Sequence, residues 1–482
     1  MKPRYLIPLA SSTALLAACS GGGDSVAGID ARGKDGRVGI VSKGRISRFG
    51  SIVVNGVVFD TAGATFTIDG AAGSESDLAV GQVVVVQGTI DEGGTTGTAE
   101  TVTYDDLVEG PISAIDAGAN TLTVLGQTVI IDSETAFDDD IVPGSIAGLA
   151  INDVVEVSGF FDANGNIVAS RIELEAAGGD VEVTGIVSNV DNAAFTFEIN
   201  ELVVDYSSAT LAGFPGGQPE NGQTVEATGT LGGSNELVAA TVEFEDGDLG
   251  FEDGDEAEIS GLITRFASAS DFDIDGVPVT TDAGTEFENG SSADLALNAR
   301  IEVEGVVNAS GVIVADSIEF EPEGNLEISG LIETVGSDSV TVFDVTISVT
   351  AKTAFEDDSG DDLTRFDLTD LGVGDYVDIN AFDNAGSIVA TGIERDDDPG
   401  TVGLSGVIAT VDDPQFTIIG VDVLTDNETE FQLGDSEVDA DTFFAAALNR
   451  FAEVSGTWNG LAIEADEVEI DDESGDDDDQ DD

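Results

Sequence analysis

The chain repeats one unit six times, and that period constrains every fold assignment that follows. A strand-like segment with a shared glycine recurs at Gly44, Gly110, Gly185, Gly261, Gly330 and Gly406, at intervals of 66, 75, 76, 69 and 76 residues. Each copy closes on Ala-x-x-Ile/Val, as at Ala169/Ile172 and Ala390/Ile393. Five of the six place a glutamate next, at Glu173, Glu243, Glu319, Glu394 and Glu469, whereas the first copy has Thr103.

Between these anchors the order is constant. A strand through the shared glycine leads into a hairpin such as Ile52 to Phe59, whose Asn55-Gly56 turn needs two residues that accept positive φ. A segment ending in Phe follows, at Phe66, Phe137, Phe287, Phe355 and Phe431, with Leu211 in the third copy. A variable loop, a Leu-x-Val-Gly type of lead-in and an alternating strand such as Val154 to Gly159 come next. Five strands in about 70 residues, with the longest irregular link between the third and fourth, predict an all-β chain of six tandem small five-stranded OB-like barrels. The copies span 39–106, 107–176, 181–246, 256–321, 326–395 and 402–470. Short acidic, Gly-containing links separate the later ones, so six globules in line would reach about 170 Å. The repeated Phe reads as a barrel plug, the repeated Gly as a turn or close approach, and the terminal Glu as a solvated outer-face charge.

The shared glycine, the Phe-ended segment, the Leu-x-Val-Gly lead-in and the Ala-x-x-Ile-Glu close resemble the bacterial module of domain-of-unknown-function family 5666, over residues 39 to 470. The third copy (Leu211) and the fifth (Asn380-Ala381 where others have Gly) depart most. The resemblance implies tandem modules in secreted lipoproteins and brings no activity with it.

Charge narrows the partners. Against 97 acidic residues stand 15 basic ones, a net charge of −82. Such a field repels nucleic acid, which needs Lys and Arg to displace counterions, and it favours cationic proteins or divalent cations. It also repels anionic lipid, so membrane attachment must be covalent. A 41 % apolar fraction is ample for folded cores. With no histidine and one cysteine, imidazole-based nucleophile systems, thiolate zinc, iron–sulfur clusters and disulfides are excluded. The expectation is a non-enzymatic protein with no cofactor beyond weakly held Ca²⁺ or Mg²⁺.

The one cysteine, Cys19, follows a short basic region (Lys2, Arg4), an apolar stretch and Leu16-Ala17-Ala18. This resembles the lipobox of bacterial lipoproteins. The resemblance implies a leader over 1–18, lipidation of Cys19 and, with Ser20 next, the outer membrane, facing periplasm or exterior. Residues 19–38 read as a Gly-rich tether, and 471–482 as a disordered acidic tail.

The sharpest local motif is Asp271-x-Asp273-x-Asp275-Gly276 with Asp282 eleven positions after the first aspartate. This spacing copies the opening of an EF-hand calcium loop. The same residues occupy the hairpin column of the fourth copy, where an extended strand splays Asp271 and Asp273 about 7 Å apart. Further acid lies at Asp138-Asp139-Asp140 and at Asp357-Asp358 with Asp361-Asp362. Arg32, Lys34, Arg37, Lys43, Arg45 and Arg48 could face lipid headgroups or pair with the acidic modules. Trp458 is the one aromatic to test as a carbohydrate platform. The function expected is a lipid-anchored structural or binding protein of the cell envelope. The alternatives are a divalent-cation-dependent adhesion protein and a carboxylate hydrolase, which would need two carboxyls in one cleft.

Overall fold

The computed structural model describes residues 38–470 apart from 50, 92, 93, 139, 234, 246, 248, 322–325, 361, 362, 364, 385 and 435. Cys19, the leader, the tether up to residue 37, the acidic tail, Arg32, Lys34, Arg37, Asp139, Asp361 and Asp362 lie outside the described residues. No described helix is long and apolar enough to cross a membrane.

Each copy is a small barrel, and the first shows how it closes. The strand Val38–Arg48 pairs antiparallel with Ile52–Val54, which forms the hairpin with Val57–Asp60. That third strand and its continuation Thr65–Ile68 run parallel to the last strand, Thr96–Tyr104. The last strand pairs with Val83–Ile90, and Val83–Ile90 returns to the first strand. The circuit first–second–third–fifth–fourth–first is the OB-like closure, and the other copies repeat it. In the fifth, the first strand is broken into Leu326–Leu331 and Thr334–Val335.

Inward-facing Val, Ile and Phe fill each barrel. Phe59, Phe197, Phe272 and Phe416 are fully buried within the hairpins, and Phe66, Phe355 and Phe431 plug the cores. Where the first copy carries only a 3₁₀ turn, Glu75–Asp77, the sixth inserts the helix Ala440–Ala446. Asp439 caps it by accepting from the Thr442 N–H, and Phe443 packs 4.8 Å from Phe431.

Two glycine columns have distinct causes. The fourth and fifth strands carry a bulge at Gly88, Gly159, Gly229, Gly305 and Gly456. A Cβ at Gly159 would lie 2.2 Å from the Val168 carbonyl oxygen, so strand approach excludes it. The fifth copy holds Ala381 at the same bulge. The shared glycine sits two residues before the first strand changes partners. At Gly185 a Cβ would lie 2.5 Å from Ile199 Cγ2, and its absence lets the strand fold over the hairpin.

That change of partner leaves an open edge. In the first module the first strand bonds to the fourth from Val38 to Arg45, and to the second only from Ile46 onward. One edge of its N-terminal half is therefore unused by its own barrel, and unpaired edges attract other strands. The modules satisfy it in twos. Ile40–Lys43 of module 1 runs parallel to 256–259 of module 4. Val108 and Glu109 of module 2 lie antiparallel to Val183 and Glu182 of module 3. Glu327 to Ser329 of module 5 lie antiparallel to Ser405 to Gly403 of module 6. Module 1 thus sits beside module 4, and the described residues fall in one compact unit. The linear string expected from the short links is corrected, because link length says nothing about which edges remain open.

Candidate binding cleft and acidic junction

Opposite each terminal glutamate stands a second acid. The register places Glu156 against Glu173, Glu226 against Glu243, Glu302 against Glu319, Asp378 against Glu394 and Glu453 against Glu469. Only the first copy lacks the pair, with Val85 against Thr103. The partner acid stands three residues before the bulge position in each of those five copies, a column that sequence reasoning missed although it is legible in Val-Val-Glu-Val and Arg-Ile-Glu-Val. The pairs point out of the barrels, yet edge pairing draws several into module junctions. Glu394 is half-buried and its carboxyl pushed well above the usual range, by desolvation first and then by Asp358 and Glu356. Burial likewise raises Glu156 to about 8, and Glu226 and Glu302 each to about 7. The solvated reading of the terminal glutamate is therefore corrected for Glu394, whereas Glu243 is exposed.

Modules 1, 2, 4 and 5 line a cleft of about 1110 Å³, together with Ser405, Phe451 and Glu453 of module 6. Thirteen carboxylates line it against three basic side chains, Arg45, Arg300 and Lys352. Those three tie modules together. Arg45 donates to the Glu134 carbonyl at 2.9 Å and to its carboxylate at 3.1 Å. Arg300 binds Asp132 at 2.6 Å. Lys352 binds Glu302 at 3.0 Å and also Glu319. Behind the wall, Arg171 reaches from module 2 to Glu356 of module 5 at 3.0 Å and to the Val80 carbonyl of module 1 at 3.0 Å. Removing one partner from such a buried pair costs about 3–5 kcal/mol, since the other charge stays behind unpaired.

A second acidic site lies where modules 1, 2 and 3 meet. Cross-strand register lines up Glu173, Glu156, Glu109 and Glu182 over four adjacent strands. Asp69, in a tight turn at φ 45°, and Asp106, on the connector after Tyr104, close over this row. One oxygen from each of Asp69, Asp106 and Glu156 lies within 4.8 Å of the others. The Tyr104 hydroxyl donates to Glu156 Oε1 at 2.6 Å. Among the described residues this is the one trio of acids so placed.

Comparison with known families matches six segments to one profile, Domain of unknown function (DUF5666), over 38–103, 109–173, 184–243, 260–319, 329–394 and 405–469. The chain belongs to the DUF5666 family. No curated protein matches it.

The EF-hand-like residues of the fourth DUF5666 copy do not converge. Arg265 binds Asp273 through both oxygens, at 2.6 and 2.7 Å, and Asp271 at 2.7 Å. Asp275 turns away to Lys43 of module 1 at 2.5 Å, and Asp282 Oδ1 accepts from the Gly284 N–H at 2.6 Å. The calcium-loop reading is corrected: period-two strand geometry separates the side chains, and cations of the chain itself take all three hairpin positions. Asp357 in the acidic loop of copy five is equally engaged, since Arg395 holds it at 2.8 and 2.5 Å. Although burial opposes it, this pair and the Ser359 hydroxyl bring the Asp357 carboxyl down to about 2. Of the N-terminal basic cluster, Lys43 and Arg45 pair with acidic modules rather than facing outward. Trp458 packs 5.1 Å from Phe343 and donates to Glu333 of module 5 at 3.1 Å, so it cements the interface of modules 5 and 6.

Asp378 opposite Glu394 in the cleft has a counterpart in four other DUF5666 copies, so it belongs to the repeated scaffold.

The buried acids set the direction of pH dependence. Glu258, at the junction of modules 1 and 4, is raised to about 9 by burial first and then by Glu302 and Glu304, while Lys352 opposes the rise, and its Oε2 meets no donor. A carboxyl raised in the folded state holds a proton that the unfolded chain has lost. The stabilisation is therefore complete below about pH 4.5 and is lost as pH rises through about 7 to 9. Denaturant unfolding of the metal-free chain in high salt should show stability falling between pH 5 and 9. Glu258→Gln should recover about 1–3 kcal/mol at pH 9 and little at pH 5, in line with removing an unsatisfied buried group. Stability that rises over this range would contradict the assignment.

Proposed function

We propose that this chain is a lipid-anchored, non-enzymatic protein of the cell envelope that binds a cationic ligand in the cleft between its modules. The observation that carries the reading is the lining of that cleft: thirteen carboxylates, supplied by several modules, against three basic side chains already engaged with acids. No single module forms the cleft, which gives the tandem repeat a purpose beyond length. Basic peptides and polyamines are the class that such a surface recognises, and screening by salt should weaken them together. Nucleic acid is repelled by the same field. Attachment follows from the leader, from Leu16-Ala17-Ala18-Cys19 and from Ser20, which together favour the outer membrane.

Titration of the mature chain with a short oligolysine peptide tests the ligand class. Saturable binding should weaken at least tenfold in Glu321→Gln/Glu327→Gln/Asp378→Asn, which neutralises cleft acids and leaves the Arg45, Arg300 and Lys352 pairs in place. Binding that survives this change undiminished would move the site elsewhere.

Attachment has its own test. Cys19→Ser should take up no labelled palmitate and leave the membrane fraction. Continued palmitate incorporation by the variant would refute the anchor.

A further inference from the structure

The glutamate row of modules 2 and 3 ends against module 1 in an arrangement that carbon, nitrogen and oxygen of this chain leave incomplete. Asp106 is 2 % exposed, and its Oδ1 meets no hydrogen-bond donor. The charges pressing on it are, in order, Glu182, Glu156, Asp69 and Glu109, every one a carboxylate. Glu182 is 5 % exposed and also has an oxygen, Oε1, without a donor. Like charges directly opposite one another on neighbouring strands destabilise a sheet, and a buried anion without a partner is costly. Two unsatisfied buried acids, Glu182 in the row and Asp106 closing over it, therefore point to a missing positive group.

We propose that this junction is a divalent-cation site of the calcium class, with Asp69, Asp106 and Glu156 as carboxylate ligands and Glu182 adding charge beside them. The spacing admits a calcium ion. Calcium takes oxygens at about 2.3–2.6 Å, so ligands on opposite sides lie up to about 5 Å apart, whereas magnesium at about 2.0–2.1 Å allows only about 4 Å. The oxygens here lie within 4.8 Å of one another. Calcium also tolerates ligands drawn from a turn, a connector and a strand, which is the origin of Asp69, Asp106 and Glu156. A cation at this point ties module 1 to module 2 and offsets the charge that module 3 brings through Glu182. The site is separate from the copy-four hairpin, and it does not rest on the cleft reading.

The test uses the metal-free mature chain in 0.5 M sodium chloride, titrated with calcium alone and, separately, with terbium under tyrosine excitation. Calcium should raise the melting temperature saturably in spite of the salt, because binding to the native state alone stabilises by mass action. Terbium emission should appear through Tyr104, whose hydroxyl touches Glu156, and calcium should quench it by displacement at lower concentration than magnesium. Asp106→Asn should weaken calcium binding at least tenfold while its metal-free form melts no lower than the unaltered chain, since the change relieves repulsion. Tyr104→Phe should keep the calcium shift and lose most of the terbium emission. Asp271→Asn with Asp273→Asn should alter neither. The proposal is overturned by the absence of a saturable shift, or by a shift that Asp106→Asn retains. If Asp106→Asn does not fold, terbium emission left intact by Tyr104→Phe overturns it instead.

Discussion

The half-used edge of each first strand is the constraint on which the whole assembly depends. An OB-like circuit requires that strand to serve the fourth strand with its N-terminal half and the second with its C-terminal half. The change of partner two residues after the shared glycine leaves backbone groups of the strand's N-terminal half unpaired on one side. Buried or bare, such groups must find partners. Three module pairs supply them, and the pairing alone decides that module 1 lies beside module 4 rather than at the far end of a string.

Once edges pair, electrostatics follows from geometry. Edge pairing sets the outward-facing acid of one barrel against that of the next, as Glu109 meets Glu182. An isolated module would leave those side chains in water, whereas the assembly dehydrates several of them and presses like charges together. The scarce basic residues fall where this pressure is greatest. Lys43, Arg45, Arg171, Arg300, Lys352 and Arg365 each bind a carboxylate of another module. The spare acidity collects in the cleft and at the junction of modules 1, 2 and 3.

The barrel was legible in the sequence because its signals are local: Asn55-Gly56 marks a hairpin, alternation marks the strands, and the plug position recurs as Phe66, Phe355 and Phe431. The helix Ala440–Ala446 was hidden by its brevity and by Asp-Thr-Phe-Phe, which reads as loop until Phe443 is seen in the core. The candidate sites were harder to read. Glu156 and Glu173 belong to different strands, and only register brings them opposite. Asp69 and Asp106 are unremarkable in sequence, and a turn and a connector carry them to Glu156. Conversely, Asp271-x-Asp273-x-Asp275 copies a calcium loop in spacing alone, and its place in the hairpin column already set the side chains apart, where Arg265 and Lys43 pair with them.

Small-angle scattering of the mature chain tests the central claim, that edge pairing gathers the six barrels into one body. Six globules of about 29 Å in line would give a radius of gyration of about 50 Å, and one compact chain of this length about 22 Å. The paired arrangement predicts a value below about 35 Å at physiological salt. A value near 50 Å, with the distance distribution of a rod, would contradict it.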